Sequence, residues 1–298
     1  NPPNDSSGNI DNLPTSIDIA GIGVKLGKGF SIFAGKQCTA YGGIEFDLNP
    51  IEIYEYSDMI ENMSNFMTGL NIGYDINAHQ QLNLQILDSR NGSFNKTYGV
   101  ETEDGEQPAI ESGKLPLVYT LNWNGNFNDI FKTRWSASIM NEAKDKNLYY
   151  FAFGNELNLN KFNMFLDFMY SKEGIDRKGI MTGITGSMEG HNAFDAGYFS
   201  MVTKLNYRFL PKWNAFVKGM YETASLTKQQ GDLEKGKYRT AWGYFAGVEF
   251  YPMDTNLHFF LTYVGRSYDF TARAKALGQE NYSTNRVSVG FIYQLPMF

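Results

Sequence analysis

Asn285-Arg286-Val287-Ser288-Val289-Gly290-Phe291-Ile292-Tyr293-Gln294-Leu295-Pro296-Met297-Phe298 is the last stretch of the sequence, and its reading decides the fold. Successive side chains of a strand point to opposite sides, so Val287, Val289, Phe291 and Tyr293 share one face. Arg286, Ser288, Gly290 and Gln294 share the other. A two-residue period with aromatic groups on the apolar side and polar groups opposite is the pattern of a membrane-crossing strand in a β-barrel. A single strand of this kind also fits a soluble β-sandwich, so the question is whether the pattern recurs. Pro296 interrupts the alternation and leaves Phe298 one step off the face of Phe291 and Tyr293. A bulge or a frayed end is needed to seat it.

The pattern does recur. In 131–139, Phe131, Thr133, Trp135, Ala137 and Ile139 oppose Lys132, Arg134, Ser136 and Ser138. In 162–170, Phe162, Met164, Leu166, Phe168 and Tyr170 oppose Asn163 and Asp167. Segments 199–209, 213–222 and 242–250 repeat it, for instance with Trp242, Tyr244, Ala246 and Val248 against Gly243, Gly247 and Glu249. The polar faces are rich in Gly, Ser and Asn with embedded charges, and the opposite faces are large and aromatic. That suits a wet interior and a lipid exterior. A soluble sandwich is the alternative. In all, about 13 strands are expected, near 16–26, 30–41, 65–75, 80–90, 114–124, 131–142, 147–158, 162–171, 197–209, 213–225, 238–251, 257–269 and 284–295.

Connections alternate in length. Short ones fall at 27–29, 77–79, 126–129, 160–161, 211–212 and 253–256. Longer polar ones fall at 42–64, 90–113, 172–196, 226–237 and 270–283, with a brief one near Asp145. Outer-membrane barrels have short periplasmic turns and long outside loops, so the last strand is expected to run down to a periplasmic C-terminus. The fold class expected is all-β: a transmembrane antiparallel up-and-down β-barrel, one domain over 1–298, integral to a Gram-negative outer membrane. The first strand also runs downward. Single-chain bacterial barrels have even strand numbers and lipid tolerates no open sheet edge, so one or three strands are expected ahead of Thr15, about 14 or 16 in the complete chain. The opening Asn1 to Gly8 would then be an outside loop. An overlooked strand in 178–188 is the other way to restore parity.

Composition agrees. The 298 residues are long enough for one large domain, and the 19 Tyr and 23 Phe are many for a soluble chain of that size; aromatic girdles at the membrane interfaces would use them. A mean hydropathy of −0.37 and the lack of any apolar run of about 18 residues exclude transmembrane helices. A single cysteine, Cys38, excludes an internal disulfide. The net charge of −6 argues against nucleic acid as a partner.

Residues 36–58 contain the motifs with a family likeness. Gly35-Lys36-Gln37, Tyr41-Gly42-Gly43, Glu45, Asp47 and the run Tyr54-Glu55-Tyr56-Ser57-Asp58 resemble the phosphate-selective porin O and P family in its Bacteroidetes-type branch, and the likeness continues through Thr68-Gly69-Leu70. The aromatic ending at Phe298 resembles that of bacterial outer-membrane barrels generally. The family resemblance implies a general or anion-selective porin of about 16 strands, assembled as a homotrimer, for ions and small hydrophilic solutes. It also implies that 42–64 is similar to a constriction loop folded into the lumen.

That loop contains Glu45, Asp47, Glu52, Glu55, Asp58 and Glu61, with no Lys, Arg or His. Carboxylates in a narrow pore concentrate cations and repel anions, because low-dielectric walls focus the field. Phosphate selectivity would need a basic constriction, so the chain departs here from the family name. Acids that only solvate a surface loop, or bind divalent cations at the rim, are the alternative. Lys132, Arg134, Lys204, Arg208, Lys218, Arg239, Arg266 and Arg286 all fall on lumen faces. Facing an acidic loop, they would set up a transverse field; each could instead pair with an acid on a neighbouring strand. Strand acids on the same faces are Asp75, Glu156, Asp167, Glu222 and Glu249.

Nothing points to an enzyme or a cofactor. His79, His191 and His258 lack metal-ligand spacing, and no nucleophile-elbow or Walker motif occurs. The reading is a passive porin, weakly cation-selective or non-selective, in contact with outer-membrane lipid. A plugged structural or secretion-associated barrel that binds an outer-membrane partner protein is the alternative.

Overall fold

The computed structural model describes residues 17–100, 110–187, 190–253 and 257–293. Within them lies one antiparallel sheet whose thirteen strands pair strictly in chain order. The strands are β1 (Ala20–Gly27), β2 (Phe30–Cys38), β3 (Phe66–Asn77), β4 (Gln80–Asp88), β5 (Leu117–Phe127), β6 (Phe131–Ala143), β7 (Lys146–Leu159), β8 (Phe162–Ile175), β9 (Phe194–Leu210), β10 (Trp213–Leu226), β11 (Gly236–Phe250), β12 (Leu257–Phe270) and β13 (Tyr282–Tyr293). Each overlaps a segment expected from alternation. Short helices occupy the long connections: α1 (Ile44–Asp47), α2 (Asp58–Glu61), α3 (Phe94–Tyr98), α4 (Ile180–Thr185) and α5 (Ala272–Ala276), with a 3₁₀ turn at Pro50–Glu52. Among the described residues no helix is long and apolar enough to cross a membrane.

The sheet is inside-out relative to a soluble protein. Asp167 and Glu222 are 0% and 1% exposed, whereas Phe153 and Trp242 are 45% and 47% exposed. On the outer face Trp123, Trp135, Phe153 and Phe168 pair in register across β5 to β8. Their edge-on rings sit 5.1 Å apart for Trp123–Trp135 and 5.5 Å for Trp135–Phe153. Such a continuous aromatic exterior is an aggregation hazard in water and a favourable surface in lipid. Val287, Val289, Phe291 and Tyr293 of β13 lie on that same exterior, as their spacing indicated.

The alternative of an overlooked strand in 178–188 is not met among the described residues: within the expected long connection lies α4, because Asp176 accepts hydrogen bonds from the Gly179 and Thr182 amides at 3.0 and 2.7 Å and winds the chain there. Strands β8 and β9 also run several residues past the ends that alternation marked. Among the described residues β1 and β13 are each paired on one side only, and β1 is exposed along its whole length. In hydrocarbon such an edge has to be closed by further ladder bonds. The expected strands ahead of Thr15, and the ending at Pro296 and Phe298, lie outside the described residues.

Because Phe153 sits mid-strand on the lipid side, Phe153→Arg is expected to lower folding stability in phospholipid vesicles by about 2–4 kcal/mol. Gln81→Arg, on the inner face of β4, is expected to cost less than about 1 kcal/mol in the same urea titration.

Candidate functional site

After Cys38 the chain leaves the ladder and turns inward across the inner face of the sheet. The two ends of the excursion are held together, with the Thr39 amide donating to the Asn65 carbonyl at 2.9 Å. The Ala40 amide donates to Gln85 Oε1 of β4 at 2.7 Å. Gly42 and Gly43 follow with φ of 69° and 88°, a left-handed pair that glycine adopts without Cβ strain. The Ser136 hydroxyl donates to the Tyr41 carbonyl, and the Gly43 amide donates to the Arg134 carbonyl at 3.0 Å. Contact with the wall is then so close that a Cβ on Gly154 of β7 would lie 2.7 Å from Gly43 Cα. Beside it the Asp167 carboxylate of β8 accepts from the Ile44 and Glu45 amides at 2.8 and 2.7 Å, clamping the first turn of α1.

From there the segment is folded by its own caps and its apolar side chains. Asn49 Oδ1 accepts from the Ile51 amide, and the Ser57 hydroxyl accepts from the Ile60 amide, starting α2. Ile44, Met59 and Ile60 are buried in one cluster with Tyr41, Tyr150 and Met169. Tyr54 stacks on Phe216 of β10 with ring centroids 5.1 Å apart, and its hydroxyl donates to Glu249 at 3.1 Å. Burial and the adjacent Glu249 raise the Tyr54 pKa, which keeps that donor protonated.

The loop acids meet the wall bases directly. Glu45, fully buried, takes Lys218 of β10 at 2.6 Å and the Ser57 hydroxyl at 2.5 Å. Asp47 takes Arg134 at 2.6 Å. Asp58 takes Arg239 and, at 3.1 Å, Arg266. Glu55 takes Arg266 at 3.4 Å and Arg286 at 3.7 Å. Glu222, a strand acid, shares Arg266 and accepts from the Asp58 amide at 2.6 Å. The charges expected to face one another across a gap are therefore in contact, because the loop lies against β6 to β13 instead of spanning open lumen.

The remaining assigned residues sit apart from these pairs. Glu52 offers its backbone carbonyl to Lys204 at 3.2 Å. Lys204 also lies over the Phe216 ring at 5.0 Å, and Arg208 over the Tyr251 ring at 5.2 Å. Lys132 pairs across strands with Glu156 at 3.5 Å. Lys204, Arg208 and Glu52 border a cavity of about 640 Å³ at the short-turn end, which Asn163, Asn206, Asn214, Lys161, Glu249 and Tyr251 also line. Sequence reasoning placed Asp167 and Glu222 on the inner face but not as clamps on the loop backbone, since side chain–backbone contacts of this range leave no periodic trace. The glycine at 154, opposite Gly43, carried the available signal.

Residues 1–295 match the family described as phosphate-selective porin O and P. The chain belongs to that family. No curated protein matches it in sequence. Among solved structures it is similar to the outer membrane channel DcaP of Acinetobacter baumannii, with 11% identity, a TM-score of 0.59 and coverage of 87% of this chain and 70% of that one. It is also similar to a loop L8 deletion mutant of OmpT, an outer membrane protein of Vibrio cholerae, with 9% identity, a TM-score of 0.50 and coverage of 88% and 74%. For OccAB3 of Acinetobacter baumannii the values are 14%, 0.50, 91% and 65%, so this chain spans just under two thirds of that one. At such identities these likenesses show the fold alone. As a member of the porin family the chain forms an outer-membrane channel for small solutes in a bacterial outer membrane.

Removing the Asp167 clamp tests the docking of the loop. Asp167→Ala deletes two charge-assisted bonds, which is expected to favour the undocked loop by about 3 kcal/mol or more. The measurement is cleavage by a Glu-specific protease within 44–61, expected to accelerate by roughly a hundredfold if opening limits it.

Proposed function

We propose that the chain is a passive porin whose constriction is the 42–64 segment, weakly cation-selective or non-selective toward ions. The observation that carries this reading is the matching of Glu45, Asp47, Glu55 and Asp58 by Lys218, Arg134, Arg239, Arg266 and Arg286. A charge already neutralised at contact distance projects little field into the passage, so neither cations nor anions are strongly favoured. Glu52 is in no salt bridge among the described residues, but Lys204 lies beside it at its own backbone carbonyl, so its charge too is partly offset. A phosphate filter would require unmatched bases at the narrowest point, and here five of the eight wall bases are held by loop acids. The role is passage rather than catalysis. The long loops face outward and the short turns face the periplasm, on the rule that outer-membrane barrels follow.

In a planar bilayer with a KCl gradient, the reversal potential is expected near zero or slightly on the cation side. Arg239→Gln with Arg266→Gln uncovers Asp58, Glu55 and Glu222 and is expected to move it clearly toward the potassium potential. Strong anion selectivity of the unmodified chain would sink this reading. Absence of any single-channel current would favour a plugged barrel.

A further inference from the structure

Glu45, Asp47, Glu55 and Asp58 each meet a base of the wall. The charges around the cavity of about 640 Å³ at the short-turn end behave differently. Glu52, Asp129, Glu249, Lys161, Lys204 and Arg208 border it, three of each sign, and among the described residues none of them is in an ion pair. Their anchors keep them apart. Glu52 closes the 3₁₀ turn, its amide donating to the Asn49 carbonyl at 2.8 Å and its carbonyl accepting from Lys204 Nζ at 3.2 Å. Arg208 lies over the Tyr251 ring, 5.2 Å from its centroid. Glu249 is buried and takes three neutral donors, the Tyr54 and Tyr251 hydroxyls at 3.1 and 3.0 Å and the Asn214 amide at 2.9 Å. Asp129 and Lys161 stand in short turns at the rim, Asp129 accepting from Asn126 Nδ2 at 2.6 Å.

The reachable pair is Glu52 and Arg208. Both residues are exposed, one on the loop and one on the wall. Neither the carboxylate nor the guanidinium has a hydrogen-bond partner among the described residues. Both act on the hydroxyl of Tyr251, in the turn after β11. Burial raises the pKa of that hydroxyl most and Glu249 raises it further, while Arg208 lowers it and Glu52 raises it. The two opposite charges are thus within electrostatic reach of one side chain, yet farther from each other than an ion pair allows. A small cation drawn to Glu52 also meets the field of Arg208 and Lys204, and a small anion drawn to Arg208 meets that of Glu52 and Glu249, so each gains little. A molecule that carries both charges is attracted at both ends.

We propose that this cavity is a binding site for small zwitterions, of the size and charge spacing of amino acids and short peptides, with the solute carboxylate on Arg208 and its ammonium on Glu52. This rests on the porin reading and names a solute class for that channel. The volume lies within the roughly 300–1,000 Å³ of small-molecule sites and equals about twenty waters at about 30 Å³ each, enough for a dipeptide. Lining charge of balanced sign leaves a net-neutral solute without a counter-ion to carry.

The test is block of KCl current through the full chain in a planar bilayer at about pH 6.5, where amino and carboxyl groups of a peptide are both ionised. The probes are alanylalanine, its N-acetyl form (an anion), its C-terminal amide (a cation) and the doubly capped form (neutral), at equal ionic strength. Alanylalanine is expected to block saturably, and each capped form to need a concentration roughly tenfold higher, or about 1.4 kcal/mol. Arg208→Gln is expected to weaken block by alanylalanine roughly tenfold and leave that by the amide unchanged. Glu52→Gln is expected to weaken alanylalanine similarly and leave the N-acetyl form unchanged. A merely structural defect shifts all four probes together, and either variant serves if the other does not fold. Equal block by the N-acetyl form or the amide in the unmodified chain would overturn the site, as would half-blocking concentrations of alanylalanine that neither substitution moves, or no saturable block at all. Absence of KCl current altogether overturns the porin reading itself, which separates that failure from this one.

Discussion

Hydrocarbon offers no partner to a hydrogen-bonding group, and the layout of this chain follows from that constraint. Each strand from β2 to β12 spends its backbone groups on its two neighbours, and next-neighbour pairing in chain order is the simplest topology that does so. Side chains then divide by face. The exterior can hold aromatics such as Trp135 and Phe153, while most charged side chains of the strands are driven inward, where water or other protein groups must satisfy them. The inner face thus acquires more buried charge than strands alone can match. Asp167 and Glu222 lie on neighbouring strands to bases, but both are completed by amides of the 42–64 segment. The loop is the missing set of partners for the wall.

That interdependence bears on energetics. Ordering a segment of this length costs about 1–2 kcal/mol per residue in backbone entropy, and ion pairs taken out of water recover little net stability. The apolar cluster of Ile44, Met59 and Ile60 against Tyr150 and Met169 is the better source of affinity between loop and wall. The ion pairs act mainly on geometry. A shifted loop would strand the fully buried Glu45 without Lys218, and leave Asp58 without Arg239 and Arg266, so one register is selected over its neighbours. Gly154 adds a steric term, since any side chain there would push Gly43 off the wall.

What could be read from the sequence follows the same division. Strand positions and facing were legible because a period of two is a local property that lipid on one side and water on the other favour along each strand; Phe131 to Ile139 shows it, with Lys132, Arg134, Ser136 and Ser138 all inward. The segment 42–64 was legible only as acidic and apolar. Its two helices are single turns set by Ser57 and by Asp167, one of them more than a hundred positions away in sequence, and periodicity does not register either. Facing charge was likewise readable, but distance was not: alternation put Arg134 and Lys218 inside without telling that Asp47 and Glu45 would touch them.

The consequence is an interior with two unlike halves. Against β6 to β13 charges are many and mostly paired; against β2 to β5 they are few, and Gln37, Asn71, Asn83, Gln85 and Asn122 are bonded to one another in a largely buried amide network. Amides are suited to a wall that must be polar without being a trap. An unmatched base or acid in a low-dielectric passage would bind its counter-ion tightly and slow its exit, whereas an amide donates and accepts at once and holds a solute with bonds close in strength to those of water. Docking the loop therefore neutralises the part of the ionic wall it touches, while Lys204, Arg208 and Glu249 still border the cavity of about 640 Å³ beside it.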